Sequence, residues 1–255
     1  MKLNSIKFGF IVIFSCLIPF TSSAGKLKLS QVESPHFTLF YRGDKKKAEE
    51  KISLLESFHT TQYSRFFNKE LGDKITVILY KDKKEYTKVT GVKKEFFAHF
   101  ESTDKKIYSN SQENIGAIFH ECVHYWLNYN TGGDRVRLWF EEGFASFFES
   151  PEKKEDKSYE FGRPNWRQKS LQGKWTSLAS FMQRVDLREE HDKAQARLFF
   201  LWLSKQGLLE SYINKYIEFL DFDFSGIDAL KEITGKNIEE INGEMKLYSE
   251  EISAI

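Results

Sequence analysis

The chain has 255 residues, 40% of them hydrophobic and 24 of them phenylalanine, with 38 basic and 37 acidic side chains and a formal net charge of +1. That balance excludes the strongly basic surface of a nucleic-acid-binding protein and gives no bias toward an anionic membrane. The apolar content is enough for a sizeable core, in one domain or in a compact domain with an extension.

Met1 to Ala24 carries Lys2 and Lys7 ahead of an apolar run from Phe8 to Phe20, followed by Ser22-Ser23-Ala24. A short basic region, a short apolar run and small residues for cleavage are the layout of a secretory signal peptide, here over 1–24. The run is shorter than the roughly 20 apolar residues of a spanning helix, and no later segment reaches that length. We therefore expect an exported bacterial protein, periplasmic or secreted, with no membrane segment after signal cleavage. Its mature part would start near Gly25. Cys122 would then be the one cysteine left, so the core rather than an intramolecular disulfide must hold the fold.

Along the mature chain, Phe37, Leu39 and Tyr41 alternate with polar neighbours from His36 to Tyr41, the pattern of a half-buried strand. Asp44 to Asn68 reads as a long helix with Ala48, Ile52, Leu55, His59, Gln62 and Phe66 on one stripe, apolar except in its middle. Lys74 to Tyr80 is β-branched and apolar enough for a central strand. Asp82 to Thr90 is a short helix that Gly91 ends. Phe97 to Glu101 and Lys106 to Ser109 flank Ser102-Thr103-Asp104 as a hairpin.

Ser109 with Gln112 resembles a capping box. The helix it would open carries Ile115, Ile118, Phe119, Cys122, Val123, Trp126 and Leu127 at helical spacing. Asn130-Thr131-Gly132-Gly133-Asp134 breaks that helix. A second runs from about Arg137 to Ser150, and Pro151 stops it. Residues 151–175 read as a solvated loop. Helical patterns return over 178–185, 194–205, 208–220, 226–233 and 238–251. The expected class is α+β: a small mixed sheet with two helices over 25–150, then an all-helical subdomain over 151–255.

The densest chemistry lies in His120-Glu121-Cys122-Val123-His124. On a helix the two histidines stand at i and i+4 on one face. Two imidazoles so placed chelate one zinc ion, and Glu121 is then positioned to work on a metal-bound water. A peptidase zinc needs a third protein ligand and an open position, and Glu141-Glu142 on the next helix offers a carboxylate. Cys122 falls on the apolar face and reads as a small buried hydrophobe. His36, His59 and His99 read as ordinary. Trp126, Trp139 and Phe140 read as core between the two ligand helices.

The motif followed by Trp139-Phe140-Glu141-Glu142-Gly143-Phe144-Ala145 resembles the gluzincin group of metallopeptidases, whose third ligand is a glutamate on the next helix. Aminopeptidases of that group carry a similar Trp-Leu-Asn-Glu-Gly-Phe-Ala segment. Matching by motif makes Glu142 the ligand, with Glu141 its rival; 17 residues separate His124 from Glu142, one fewer than in those aminopeptidases. The order of elements over most of 35–250 is also similar to the small bacterial peptidase MA-like proteins. The resemblance implies a zincin-like fold and one Zn2+ per chain. It also implies hydrolysis of peptide bonds by a zinc-bound water that Glu121 activates.

Relatives often add a Tyr or His that hydrogen-bonds the oxyanion, and His191 and Tyr159 are the candidates here. In the family a hairpin strand edge lies near the cleft, so Phe97, His99 and Glu101 are candidates for pairing with an extended peptide. No Gly-x-Met-Glu-Asn type segment, which holds the substrate amine in gluzincin aminopeptidases, precedes the motif. Endopeptidase action on a peptide or protein substrate is the expectation. The alternative is an exported zinc-binding module without proteolytic activity that binds a protein partner, and the intact Glu121 favours the enzyme.

Overall fold

The structure is a computed structural model that describes residues 29–93, 96–110, 114–133, 136–155 and 158–253. The expected signal peptide lies outside the described residues. Two strands open the described chain, β1 (Ser30–Glu33) and β2 (Phe37–Tyr41). A long helical segment follows: α1 (Lys45–Phe58), a π-helical turn at His59–Tyr63, and α2 (Ser64–Phe66). Then come β3 (Ile75–Tyr80), α3 (Lys83–Thr90), β4 (Ala98–Glu101) and β5 (Lys106–Asn110).

The sheet order is β1-β2-β3-β5-β4. It is mixed, with β3 parallel to both β2 and β5 and antiparallel pairs at the two edges. The centre of the sheet is buried on both faces, which is why β3 is apolar almost without interruption. Val77 and Leu79 join the main core, while Ile78 and Tyr80 pack with Tyr86 under α3. Asp82 caps α3 through the Glu85 amide and Gly91 closes it at φ 71°, a left-handed conformation that suits glycine.

β1 is a strand that the sequence does not announce, because its four residues are too short for a periodicity signal. The polar middle of the long helical stripe marks the π turn. There His59 is buried, stacks on Tyr63 at 4.7 Å and lies 4.3 Å from the His36 ring. His36 in turn meets the buried Glu56, which also accepts from Ser34 Oγ and the His36 amide.

Two helices stand against the sheet and the later chain, α4 (Ile115–Thr131) and α5 (Leu138–Phe147). The expected capping box at Ser109 and Gln112 does not start α4. Ser109 belongs to β5, and Asn114 caps the helix by accepting from the Gly116 amide at 3.0 Å. Asn130 and Thr131 stay helical, and Gly132 ends α4 at φ 78°.

Residues 151–175 are more structured than a solvated loop. They contain the hairpin β6 (Glu152–Lys153) and β7 (Tyr159–Glu160), then a 3-10 turn at Trp166–Leu171 with Gln168 and Leu171 buried. The C-terminal helices are α6 (Leu178–Met182), α7 (Glu190–Lys205), α8 (Leu209–Phe219), α9 (Ile227–Thr234) and α10 (Ile238–Ser253).

One hydrophobic core runs from Val32 to Ile252. Phe58 stacks on Phe119 at 4.1 Å and on Trp126 at 4.9 Å, fixing α4 against α1. Trp139 and Phe140 are fully buried but face the C-terminal helices rather than α4. Phe140 stacks on Tyr216 at 3.9 Å, and Trp139 packs on Phe199 at 5.2 Å and donates to the Met182 carbonyl. Gly143 permits the closest approach of α5 to α7: a Cβ there would lie 2.7 Å from the Ala196 carbonyl oxygen. The C-terminal helices thus hold α5 in place, and with it Glu141 and Glu142.

Candidate metal centre

α4 presents His120 and His124 one turn apart, beside the apolar face that buries Phe119, Cys122, Val123 and Trp126. Their Nε2 atoms lie 2.9 Å from each other. From α5, Glu142 brings Oε2 to 3.8 Å from His120 Nε2 and Oε1 to 3.9 Å from His124 Nε2. All three ligand atoms fall within 4.8 Å of one another. The side-chain exposures of 13% for His120, 11% for His124 and 33% for Glu142 leave the site open on the Glu142 side.

The outward nitrogens are also engaged. His124 Nδ1 meets Glu141 Oε1 at 2.8 Å, and His120 Nδ1 lies 3.2 Å from Glu149 Oε1, off the alignment of a regular hydrogen bond. Glu149 is held by Arg167 through Nε at 3.0 Å and Nη2 at 3.1 Å. Glu121 accepts a hydrogen bond from the Phe100 backbone N–H of β4 at 2.8 Å.

Four carboxylates therefore surround two imidazoles, with the Arg167 guanidinium on Glu149 and the buried Arg197 within electrostatic reach of both. Burial of the His124 ring opposes its protonation, but Glu141, with Glu121 and Glu142 nearby, lifts its pKa to about 9. His120 is raised as well: burial opposes, and Glu149 outweighs it. Burial pushes Glu149 up, yet His120 and Arg167 bring it down to about 2. Such an excess of negative charge suits a divalent cation.

The donor set also fits zinc. Bonds of about 2.0–2.1 Å in a tetrahedron put ligand atoms about 3.3 Å apart; the Nε2 atoms are 2.9 Å apart, and the two Glu142 oxygens lie 3.8 Å from one and 3.9 Å from the other. Cys122 is fully buried, its thiol pushed well up by burial, and it takes no part.

The structure brings His120, Glu121, His124 and Glu142 together, while Glu141 meets His124 Nδ1 rather than the Nε2 pair. The other candidates make contacts of their own. His191 Nε2 contacts Asp192 Oδ1 at 3.3 Å at the start of α7, and Tyr159 packs on Phe119 at 5.9 Å in β7. Phe97 is 47% exposed under Lys83 Nζ, and the His99 side chain turns to Tyr86 and Tyr108, on the α3 face.

The backbone group of β4 that reaches the site is that of Phe100. Backbone groups alternate between the two edges of a strand, so Ala98 shares that free edge while His99 and Glu101 turn theirs to β5. Glu149, Arg167 and Phe100 were not read from the sequence. Only the carboxylate at Glu149, two helical turns beyond Glu142, carried a signal that spacing alone could have raised.

No family model and no curated protein matches the chain. Among solved structures, yeast LTA4 hydrolase in complex with bestatin is similar at 14% identity and a TM-score of 0.48, over 85% of this chain and 38% of that one. This chain thus spans well under half the length of that protein, and the site stands on its own geometry.

Proposed function

We propose that the chain is an exported, zinc-dependent metallopeptidase of gluzincin type that hydrolyses peptide bonds, with endopeptidase action on a peptide or protein substrate. The observation that carries this is the convergence of two imidazole Nε2 atoms and the Glu142 carboxylate, with Glu121 on the same turn of α4. His120, His124 and Glu142 would hold the metal. A zinc ion there supplies Lewis acidity, which acidifies a coordinated water and polarises a substrate carbonyl.

Glu121 takes the proton from the attacking water and delivers it to the leaving amine. Its hydrogen bond from Phe100 N–H, at 2.8 Å, holds the carboxylate at the edge of β4. Among the described residues β4 is an edge strand, so the outward Ala98 backbone groups and the Phe100 carbonyl are placed to align an extended peptide beside the base. Glu141 keeps the His124 proton on Nδ1, leaving Nε2 for the metal. In this reading residues 25–150 carry the chemistry and 151–255 brace it.

The test is digestion of an unfolded protein mixture by the mature chain, read by mass spectrometry, beside Glu121→Gln. Cleavage by the parent alone supports the reading. If neither chain cleaves although both hold zinc, the module without proteolytic activity replaces it.

A further inference from the structure

We propose that Arg167, in the 3-10 turn that follows the β6–β7 hairpin, is a positioning residue for the metal centre. It pins the Glu149 carboxylate against His120 Nδ1 and so fixes the ring that presents Nε2 to the metal. The inference rests on His120, His124 and Glu142 being zinc ligands, and extends that reading to a segment outside the ligand helices.

The two histidines are backed differently. Glu141 sits on α5 beside Glu142 and reaches His124 directly, with 26% of its side chain exposed. Glu149 lies past the end of α5 and is itself clamped. Its Oε1 is shared between His120 Nδ1 at 3.2 Å and Arg167 Nη2 at 3.1 Å, while Oε2 takes Arg167 Nε at 3.0 Å. A guanidinium fork of this kind fixes both oxygens, which a single point charge does not. Without it, Glu149 would face the other carboxylates of the site and rotate toward solvent.

The clamp has an anchored frame. Gly116 in the first turn of α4 lets the Glu149 backbone pass very close, since a Cβ there would lie 2.0 Å from the Glu149 carbonyl oxygen. On the other side, Gly162 N–H bonds the Phe147 carbonyl at 3.2 Å and Asn165 Nδ2 bonds Ser150 Oγ at 3.1 Å. The fully buried Arg197 of α7 donates through Nη2 to the Arg163 carbonyl at 2.6 Å. Asn165 then caps the 3-10 turn through the Arg167 amide at 3.0 Å. The segment from Gly162 to Arg167 is thereby tied to α5 and α7 and delivers one guanidinium to one carboxylate. A ligating histidine needs an acceptor on its second nitrogen to hold tautomer and ring orientation, and loss of such a partner weakens metal binding about 10–100-fold.

The test measures zinc affinity by competition with a chromophoric chelator, and the absorption spectrum of the Co2+-substituted protein. The mature chain is compared with Arg167→Met, Arg167→Lys, Glu149→Gln and Glu190→Gln. Arg167→Met is expected to bind zinc about tenfold or more weakly and to shift the cobalt bands. Arg167→Lys should recover part of the loss. Glu190→Gln removes only the other partner of Arg167, at 3.1 Å, and should bind zinc as the parent does.

Affinities within about twofold and superimposable cobalt spectra for Arg167→Met would overturn the proposal. So would a loss in Glu190→Gln equal to that in Arg167→Met, which would mark a purely structural turn. Should Arg167→Met fail to fold, Arg167→Lys and Glu149→Gln decide in the same way. A parent that binds no zinc defeats the metallopeptidase reading itself, whereas a zinc-binding parent with indifferent variants defeats only the role of Arg167.

Discussion

Gly143→Ala tests whether the C-terminal helices position the third ligand. The added methyl group would lie 2.7 Å from the Ala196 carbonyl oxygen, 2.9 Å from its carbon and 2.7 Å from Phe200 Cε2. Two of these atoms are backbone and cannot swing away, so α5 and α7 must part by about 0.7 Å to restore ordinary contact at 3.4 Å. Overpacking of this kind costs about 1–3 kcal/mol. At roughly 2–4 °C per kcal/mol for a chain of this size, the melting temperature should fall by roughly 2–12 °C. Glu142 is the adjacent residue, and a shift of that size exceeds the roughly 0.5 Å tolerance of a preorganised site. Zinc affinity should therefore fall with stability. The assay is thermal melting by circular dichroism with and without zinc, together with chelator competition. A variant that melts within about 1 °C of the parent and binds zinc equally well would refute the claim that close α5–α7 packing sets the ligand.

Glu121→Gln should keep zinc and fold, since the amide oxygen still accepts from Phe100 N–H, but should lose about 10²–10⁴-fold in kcat on a quenched peptide. Retained turnover would remove Glu121 as the base. Glu141→Ala should weaken zinc binding about 10–100-fold with the melting curve of the metal-free protein little changed; equal affinity would show that His124 needs no acceptor. Stability should also fall in mild acid. Burial, helped by the neighbouring His36 and opposed by Glu56, depresses the His59 pKa to about 4 from 6.5. The unfolded chain therefore binds the extra proton first, and stability is lost as pH falls from about 6.5 toward 4. The loss between pH 7.5 and pH 5 is roughly 2 kcal/mol at most. Urea midpoints at those two pH values check it, and a His59→Phe variant with the same pH dependence would assign the effect elsewhere.

Local signals carried much of the architecture. The spacing of Ile115, Phe119, Cys122 and Trp126 placed α4 and put the two histidines on one rim. Asp82 and Gly91 bounded α3, and the apolar run of β3 announced a strand buried on both faces. What escaped was tertiary. Ser109 has the chemistry of a cap, but pairing of β5 with β3 and β4 claims it, and Asn114 caps instead. The π turn at His59 keeps polar side chains on a buried stripe through contacts with His36 and Glu56, which no periodicity reports. Glu142 was legible because a motif held it. Glu149 meets His120 because Gly116 lets the end of α5 pass close to α4, Arg167 meets Glu149 only because the chain folds back through Gly162, and the Phe100 amide reaches Glu121 only because β4 lies at the sheet edge.

The central claim is that His120, His124 and Glu142 share one zinc ion, and X-ray absorption at the zinc edge on the metal-loaded mature chain tests it most directly. The account predicts one tightly held zinc with a nitrogen and oxygen shell at about 2.0–2.2 Å, two imidazole scattering patterns, and loss of one imidazole in His120→Ala. A sulfur shell near about 2.3 Å, or a spectrum unchanged by replacing His120, would contradict it.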